Sequence, residues 1–151
     1  MLPKNHILFG FLFSTILYFL LPLTILEATI IFLSSFLIDF DHYLLYVYRK
    51  KRLSLKNSLR YFYNEGKKWK KIMPIKNQYK RNIFIFHGVE TWIPLAIISI
   101  YFPIFWFVLI GMGIHIFLDY IIILRLKDPW YSKFSIILTH SMNKNKKELP
   151  N

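Results

Sequence analysis

The 151 residues contain no cysteine, which excludes a disulfide framework and a thiolate metal site and leaves nitrogen and oxygen as the ligand atoms open to a metal. Acids are scarce, eight against 20 Lys and Arg, for a net charge of +12. There is no evident internal repeat, and no low-complexity linker apart from a Lys/Asn-rich stretch from Asn143 onward. Apolar residues are what the chain has in plenty. With 55% hydrophobic and 19% aromatic residues and a positive mean hydropathy of +0.37, it exceeds the usage of a soluble domain of this length.

The apolar residues fall into four runs, Ile7 to Leu21, Ile25 to Tyr48, Ile83 to Phe102 and Ile104 to Leu124. Each is near the roughly 20 residues that cross about 30 Å of hydrocarbon. The sequence therefore predicts an all-α, integral membrane four-helix bundle. Pro3 at a first helical position extends the short first run toward the amino terminus. A signal peptide fits that run less well, because Leu20-Leu21-Pro22 lacks a small-residue cleavage pattern and the next apolar run follows at once. Pro22 and Pro103 divide the runs into two hairpins, and Thr24 with Glu27 has the spacing of a capping box at the start of the second helix.

Charge sets the orientation. Residues 49–81 hold thirteen Lys or Arg against one acid, Glu65, and the tail after Leu124 is basic as well, whereas the turns at Pro22 and Pro103 carry no Lys or Arg. The positive-inside rule then places both termini and the middle loop in the cytoplasm of a multi-pass cell-membrane protein. The expected organisation is a transmembrane domain over 1–128, with a basic cytoplasmic loop at 49–82, followed by an interfacial and basic tail over 129–151. Trp130, Tyr131 and Phe134 in that tail read as interfacial anchors.

Against this background three ionisable clusters stand out: Asp39-Phe40-Asp41-His42, His87-Gly88-Val89-Glu90, and His115 with Asp119. A lone carboxylate in hydrocarbon costs roughly 2.5 to 3.5 kcal/mol on insertion scales, so such residues pair, bind ions or line a polar cavity. At about 1.5 Å rise per residue, all three clusters reach a common layer roughly 8 to 10 Å thick in the cytoplasmic leaflet. His6 lies at its edge. Taken singly, each histidine reads as a hydrogen-bonded packing residue. Their agreement in depth points to one metal site. His140, in the polar tail, reads as incidental.

The spacings fit that site. His87 with Glu90, His115 with Asp119, and Asp39 with His42 each share a helix face, and Glu with His at a three-residue interval is how carboxylate-bridged dimetal sites are built into bundles. Asp39 and Asp41 lie about 160° apart around an undistorted helix. Either one of them stands behind the ligands or the helix loosens there.

The order of an early His, then Asp-x-Asp-His, a central His and a late His-x-x-x-Asp resembles the family of membrane-bound metal-dependent hydrolases that includes LexA-regulated bacterial inner-membrane proteins. The resemblance runs from His6 to Asp119 and rests most on Asp39-Phe40-Asp41-His42 and His115-Ile116-Phe117-Leu118-Asp119. The chain departs from that pattern in having Ile38 where the family often has Pro, and Asn82 where an earlier central His would stand, with Glu90 as a replacement ligand. The resemblance implies a metal-dependent hydrolase. A divalent ion held by imidazole and carboxylate lowers the pKa of water toward 7 and polarises a phosphoryl or acyl oxygen, and this mixed ligand set suits Zn, Mn or Fe. His6, Asp39, His42, His87, His115 and Asp119 are the expected metal ligands, with Asp41 or Glu90 orienting the nucleophilic water.

The basic loop interleaves Lys50-Lys51-Arg52 and Lys67-Lys68-Trp69-Lys70-Lys71 with Tyr61, Phe62 and Tyr63. It suits an anionic leaflet and an anionic lipid or phosphoester substrate, at about 1 kcal/mol per near-surface cation. The same features suit nucleic acid less well, and the plainest reading is a loop that sets topology. A transporter or channel for divalent cations or protons is the second functional reading. A path should have polar groups in both leaflets, and the outer half has few beyond Ser14, Thr15, Glu27, Thr29 and Ser99, which favours the enzyme modestly. Haem ligation is disfavoured by the carboxylates beside the histidines.

Overall fold

Thr24 starts the helix that organises the molecule. Its hydroxyl accepts from Glu27 N (3.3 Å) while Glu27 Oε2 accepts from Thr24 N (2.6 Å), so the expected capping box forms and opens α2, Ile25–Leu37. The computed structural model describes residues 3–129 and 131–149; Trp130, one of the expected anchors, lies outside them. The chain is all-α, with α1 (Pro3–Leu20), α2, α3 (Phe40–Lys50), α4 (Leu55–Lys71), a 3-10 helix (Met73–Gln78), α5 (Val89–Tyr101), α6 (Ile104–Leu126), α7 (Tyr131–Phe134) and α8 (Ile136–Asn143). Among the described residues no strand forms, and one isolated bridge links Tyr79 to Lys147.

Helix α2 lies between α1 and α6, and α5 packs against α6. Close approach needs small residues at the crossings. A Cβ on Gly111 of α6 would strike the Ile31 carbonyl and Ser34 of α2, and one on Gly10 of α1 would strike Ser35. These contacts seat Ile31 and Ser35 fully out of solvent between the three helices.

Two stretches, Ile25–Lys50 and Ile104–Leu126, are long and apolar enough to cross a membrane, by length and composition; Lys4–Leu20 and Val89–Tyr101 are shorter apolar helices. The helices differ from the apolar runs at two places, and both concern the site. The second run breaks at Ile38 and Asp39, where Asp39, Asp41 and His42 donate backbone N–H bonds to residues three back rather than four, a local tightening toward 3-10 geometry. The third helix begins at Val89, not Ile83, because Gly88 is extended at φ −74°, ψ 139° and acts as its N-cap. His87 therefore sits in a turn, which is tied down where Thr91 Oγ1 donates to Ile85 O (2.6 Å) and Trp92 Nε1 to Phe86 O (3.1 Å).

The tail does not stand apart from the bundle. Phe134 sets its ring edge against Tyr120 of α6 (centroids 5.9 Å), Asn143 exchanges two hydrogen bonds with the Arg81 backbone, and Lys80 and Lys147 extend the bridge with backbone bonds. The basic loop is likewise structured. Ser54 caps α4, accepting from Asn57 N, and the helix turns Ser58 and Glu65 inward while Lys56, Arg60, Lys67 and Lys70 face outward.

Candidate metal centre

Four segments deliver polar side chains to one place. His6 comes from α1, Asp39 and His42 from the break and start of α3, His87 from the turn before α5, and His115 with Asp119 from α6. Three overlapping groups each bring their ligand atoms within 4.8 Å of one another: His6, Asp39 and His115; Asp39, His42 and His87; and His87, His115 and Asp119. His6, His87, His115 and Asp119 are at most 1% exposed.

The hydrogen bonds fix the tautomers. His115 Nδ1 lies 2.8 Å from the Ser35 carbonyl, which can only accept, so Nδ1 carries the proton and Nε2 presents a lone pair. His87 Nδ1 lies 2.9 Å from Asp41 Oδ2, and the same reasoning leaves its Nε2 bare. Those two Nε2 atoms face each other at 3.1 Å. Two lone pairs at that distance repel unless a cation or proton lies between them. Around them converge Asp39 Oδ1, 3.5 Å from His115 Nε2 and 3.7 Å from His87 Nε2, and Asp119 Oδ2, 3.6 and 3.7 Å from the same atoms. Bonds of about 2.1 Å to Zn or a similar ion put neighbouring ligand atoms about 3.0 to 3.4 Å apart, close to these separations.

His6 adds a further imidazole. Among the described residues neither of its buried ring nitrogens has a close hydrogen-bond partner; its ring stacks on His115 (centroids 3.9 Å) and its Nε2 stands 3.5 Å from Asp119 Oδ1. An unpartnered buried polar group carries a desolvation cost of about 1 to 3 kcal/mol. A proton shared by His87 and His115 would relieve their contact but would leave His6 unsatisfied. A divalent cation would serve all the acceptors together, so the donor set fits one, and the residues that could hold it are His6, Asp39, His42, His87, His115 and Asp119.

Behind the cluster Asp41 accepts from His87 Nδ1 and His42 Nδ1, both at 2.9 Å, and from Phe86 N at 3.2 Å. Both expectations for the Asp-x-Asp pair are met at once: the helix loosens, and Asp39 faces the ligands while Asp41 stands behind them. Both Asp41 oxygens are engaged with imidazole and backbone donors. His42 stacks on Phe84 (centroids 3.9 Å) and, with its side chain 24% exposed, forms the open edge of the cluster together with Asp39.

Glu90 is not brought into the cluster. Its carboxylate accepts from Ser135 Oγ (2.6 Å), Ile136 N (3.0 Å) and Ile137 N (3.0 Å), and so caps the start of α8. The three-residue spacing from His87 does not place them on one face, because the helix begins between them. Gly88 makes room for this docking: a Cβ there would come within 2.6 Å of both Ile136 Cγ1 and Glu90 Oε2.

A residue with no local sequence signal does reach the cluster. Lys133 of α7 pairs its Nζ with Asp119 Oδ2 and lies over the Phe84 ring at 5.9 Å from the centroid. Burial works against its charge, and Asp119 and then Asp39 more than offset this, holding its pKa above that of a free lysine. Only the Ser135 cap just after it, accepting from Leu138 N (3.1 Å), is readable as a helix start that turns the tail back.

No protein-family profile matches the chain, and comparison with curated proteins and with solved structures finds no match.

Proposed function

We propose that this protein is an integral-membrane metal-dependent hydrolase with its centre at the cytoplasmic side of a four-helix bundle, acting on a phosphoester of a lipid or another membrane-proximal molecule. The observation that carries the reading is the pair of bare Nε2 atoms of His87 and His115, 3.1 Å apart, with Asp39, Asp119 and His6 around them. A bound Zn, Mn or Fe ion would supply Lewis acidity and lower the pKa of water toward neutrality. The chain's own residues do the rest. Asp41 holds the His87 and His42 rings in orientation, and the Ser35 carbonyl does the same for His115. His42, held through Nδ1 by Asp41 and 24% exposed, would stand at the edge of the centre as a further ligand or as the base for the attacking water.

The membrane setting is supported by apolar exposure. Only 28% and 33% of the most apolar windows of the two long stretches is buried, where the core helix of a soluble domain would be mostly covered. Phe19, Ile25, Ile100 and Tyr101 at the Pro22 and Pro103 end are each at least 70% exposed. In this reading the basic face of α4, which packs on α3, would face the cytoplasm. The resemblance in the Asp39 to His42 and His115 to Asp119 segments points to the same activity.

A cation or proton path is less well supported. Ser14, Thr29, Ser34, Ser35 and Ser99 each turn their hydroxyl to a carbonyl of their own helix, which leaves these hydroxyls poorly disposed to carry a cation. Elemental analysis of the detergent-purified protein beside His87→Ala and Asp119→Ala tests the proposal. Metal near one or two equivalents, lost in both variants, is the expected result; no metal after reconstitution with Zn, Mn and Fe would sink it.

A further inference from the structure

Lys133 is the residue at the centre that metal binding alone does not require. Its ammonium meets Asp119 at a centre that also gathers the carboxylates of Asp39 and Asp41, so that a cation here offsets part of the negative charge an incoming anion would face. The lysine also sits at the right edge. Its side chain is 22% exposed, beside His42 at 24% and Asp39 at 18%, whereas His6, His87, His115 and Asp119 lie deeper. An ammonium has three donors, and among the described residues Asp119 is the acceptor given to Lys133.

The segment that carries it is held firmly. Glu90 fastens Ser135, Ile136 and Ile137 directly after α7, and Thr139 Oγ1 donates back to the Tyr131 carbonyl (3.0 Å). The tail is thereby built as a bracket that sets one cation at the mouth of the cluster.

We propose that Lys133 binds a phosphoryl oxyanion of the substrate, so that the centre takes anionic phosphoesters rather than neutral esters or amides. This rests on the metal-site reading above. A charge-assisted hydrogen bond from a fixed ammonium orients the phosphoryl group while the ligand cluster takes its other oxygens, and Lys133 is in this sense a specificity-determining residue.

The test uses the full-length, metal-loaded protein in detergent, with two probes: inorganic phosphate in solution, and phosphatidic acid in the micelle. Metal content is read on the same samples. Wild type is expected to bind at least one probe, and Lys133→Met to keep its metal and lose about tenfold to a hundredfold in phosphoryl affinity, with Lys133→Arg recovering most of it. Binding in the lipid arm alone assigns the phosphoryl group to a headgroup, and comparable binding in both arms assigns it to a free phosphoester; each supports the proposal. Equal affinity in wild type and Lys133→Met, or no binding of either probe by metal-loaded wild type, overturns it while leaving the metal site standing. A wild type that holds no metal overturns both readings. A Lys133→Met protein that fails to fold is replaced by Lys133→Gln, judged by the same criteria.

Discussion

Two buried polar clusters lie in this molecule, and they differ in how donors meet acceptors. In the second cluster, Asp128 at the end of α6 accepts from Arg81 Nη2 and Lys76 Nζ, both at 2.9 Å, and Lys76 also donates to the Leu126 carbonyl. Arg81 lies flat over Trp69 (4.1 Å), and Glu65 accepts from Asn82 (3.0 Å). Arg81 Nε and Glu65 Oε2 lack partners, but each belongs to a side chain bonded through another atom. Cations there meet carboxylates, and the cluster ties the loop, the end of α6 and the tail together. In the first cluster, lone pair faces lone pair at His87 and His115, and among the described residues His6 has only the 3.5 Å approach to Asp119. Burial and charge are common to both. Donor complementarity separates a cluster whose charges are matched within the fold from one whose donor set could take a metal ion.

Paired substitutions make the sharpest attempt to break this distinction. Asp128→Ala leaves Arg81 and Lys76 buried and unpaired, and breaking a buried pair in this way costs about 3 to 5 kcal/mol. Its unfolding midpoint in detergent should fall steeply while metal content persists. His115→Ala should do the reverse, taking metal below detection by elemental analysis with the smaller change in midpoint. Loss of metal from both proteins would erase the difference between the clusters.

A smaller effect is expected at Asp41, which bears on the ligands only through the rings it holds. Asp41→Asn keeps the shape but withdraws the charge from His87 and His42, and the loss of such a supporting partner typically weakens metal binding by about 10- to 100-fold. Competition against a chelator measures it. Unchanged metal affinity, with a fall in stability, would move Asp41 into the same class as Asp128.

How far the sequence discloses these clusters depends on whether their residues are local. Asp39 with His42, and His115 with Asp119, are legible because helical spacing and an apolar background mark them, and a common depth joins them to His6 and His87. The capping box of Thr24 and Glu27 is legible for the same reason. Glu90 misleads because spacing is read on a helix that has not yet begun at His87; Gly88, extended and backed by Ile136, is the cause. Lys133 is hidden because its approach to Asp119 depends on the tail turning back, a tertiary event set by Glu90 and Ser135 from different segments. The second cluster is hidden in the same way. Arg81, Lys76 and Asp128 look like ordinary members of a basic loop and tail until the fold brings them within 2.9 Å.

The second cluster also makes a finer claim that can be broken on its own. If it serves stability alone, weakening it in small steps should change stability in small steps and never touch the ligands. Trp69 offers such a step, since it is half-buried and covers the Arg81 guanidinium without carrying charge. Trp69→Leu removes the ring quadrupole and part of the covering area, and about 1 to 2 kcal/mol of stability should go with them. Asp128 still pairs with Arg81 and Lys76, so the loss should be well short of that in Asp128→Ala, and metal affinity should equal that of wild type. A Trp69→Leu protein of normal stability with weakened metal binding would mean that the two clusters are coupled through residues 79–87, and the division between a structural cluster and a ligand cluster would have to be abandoned.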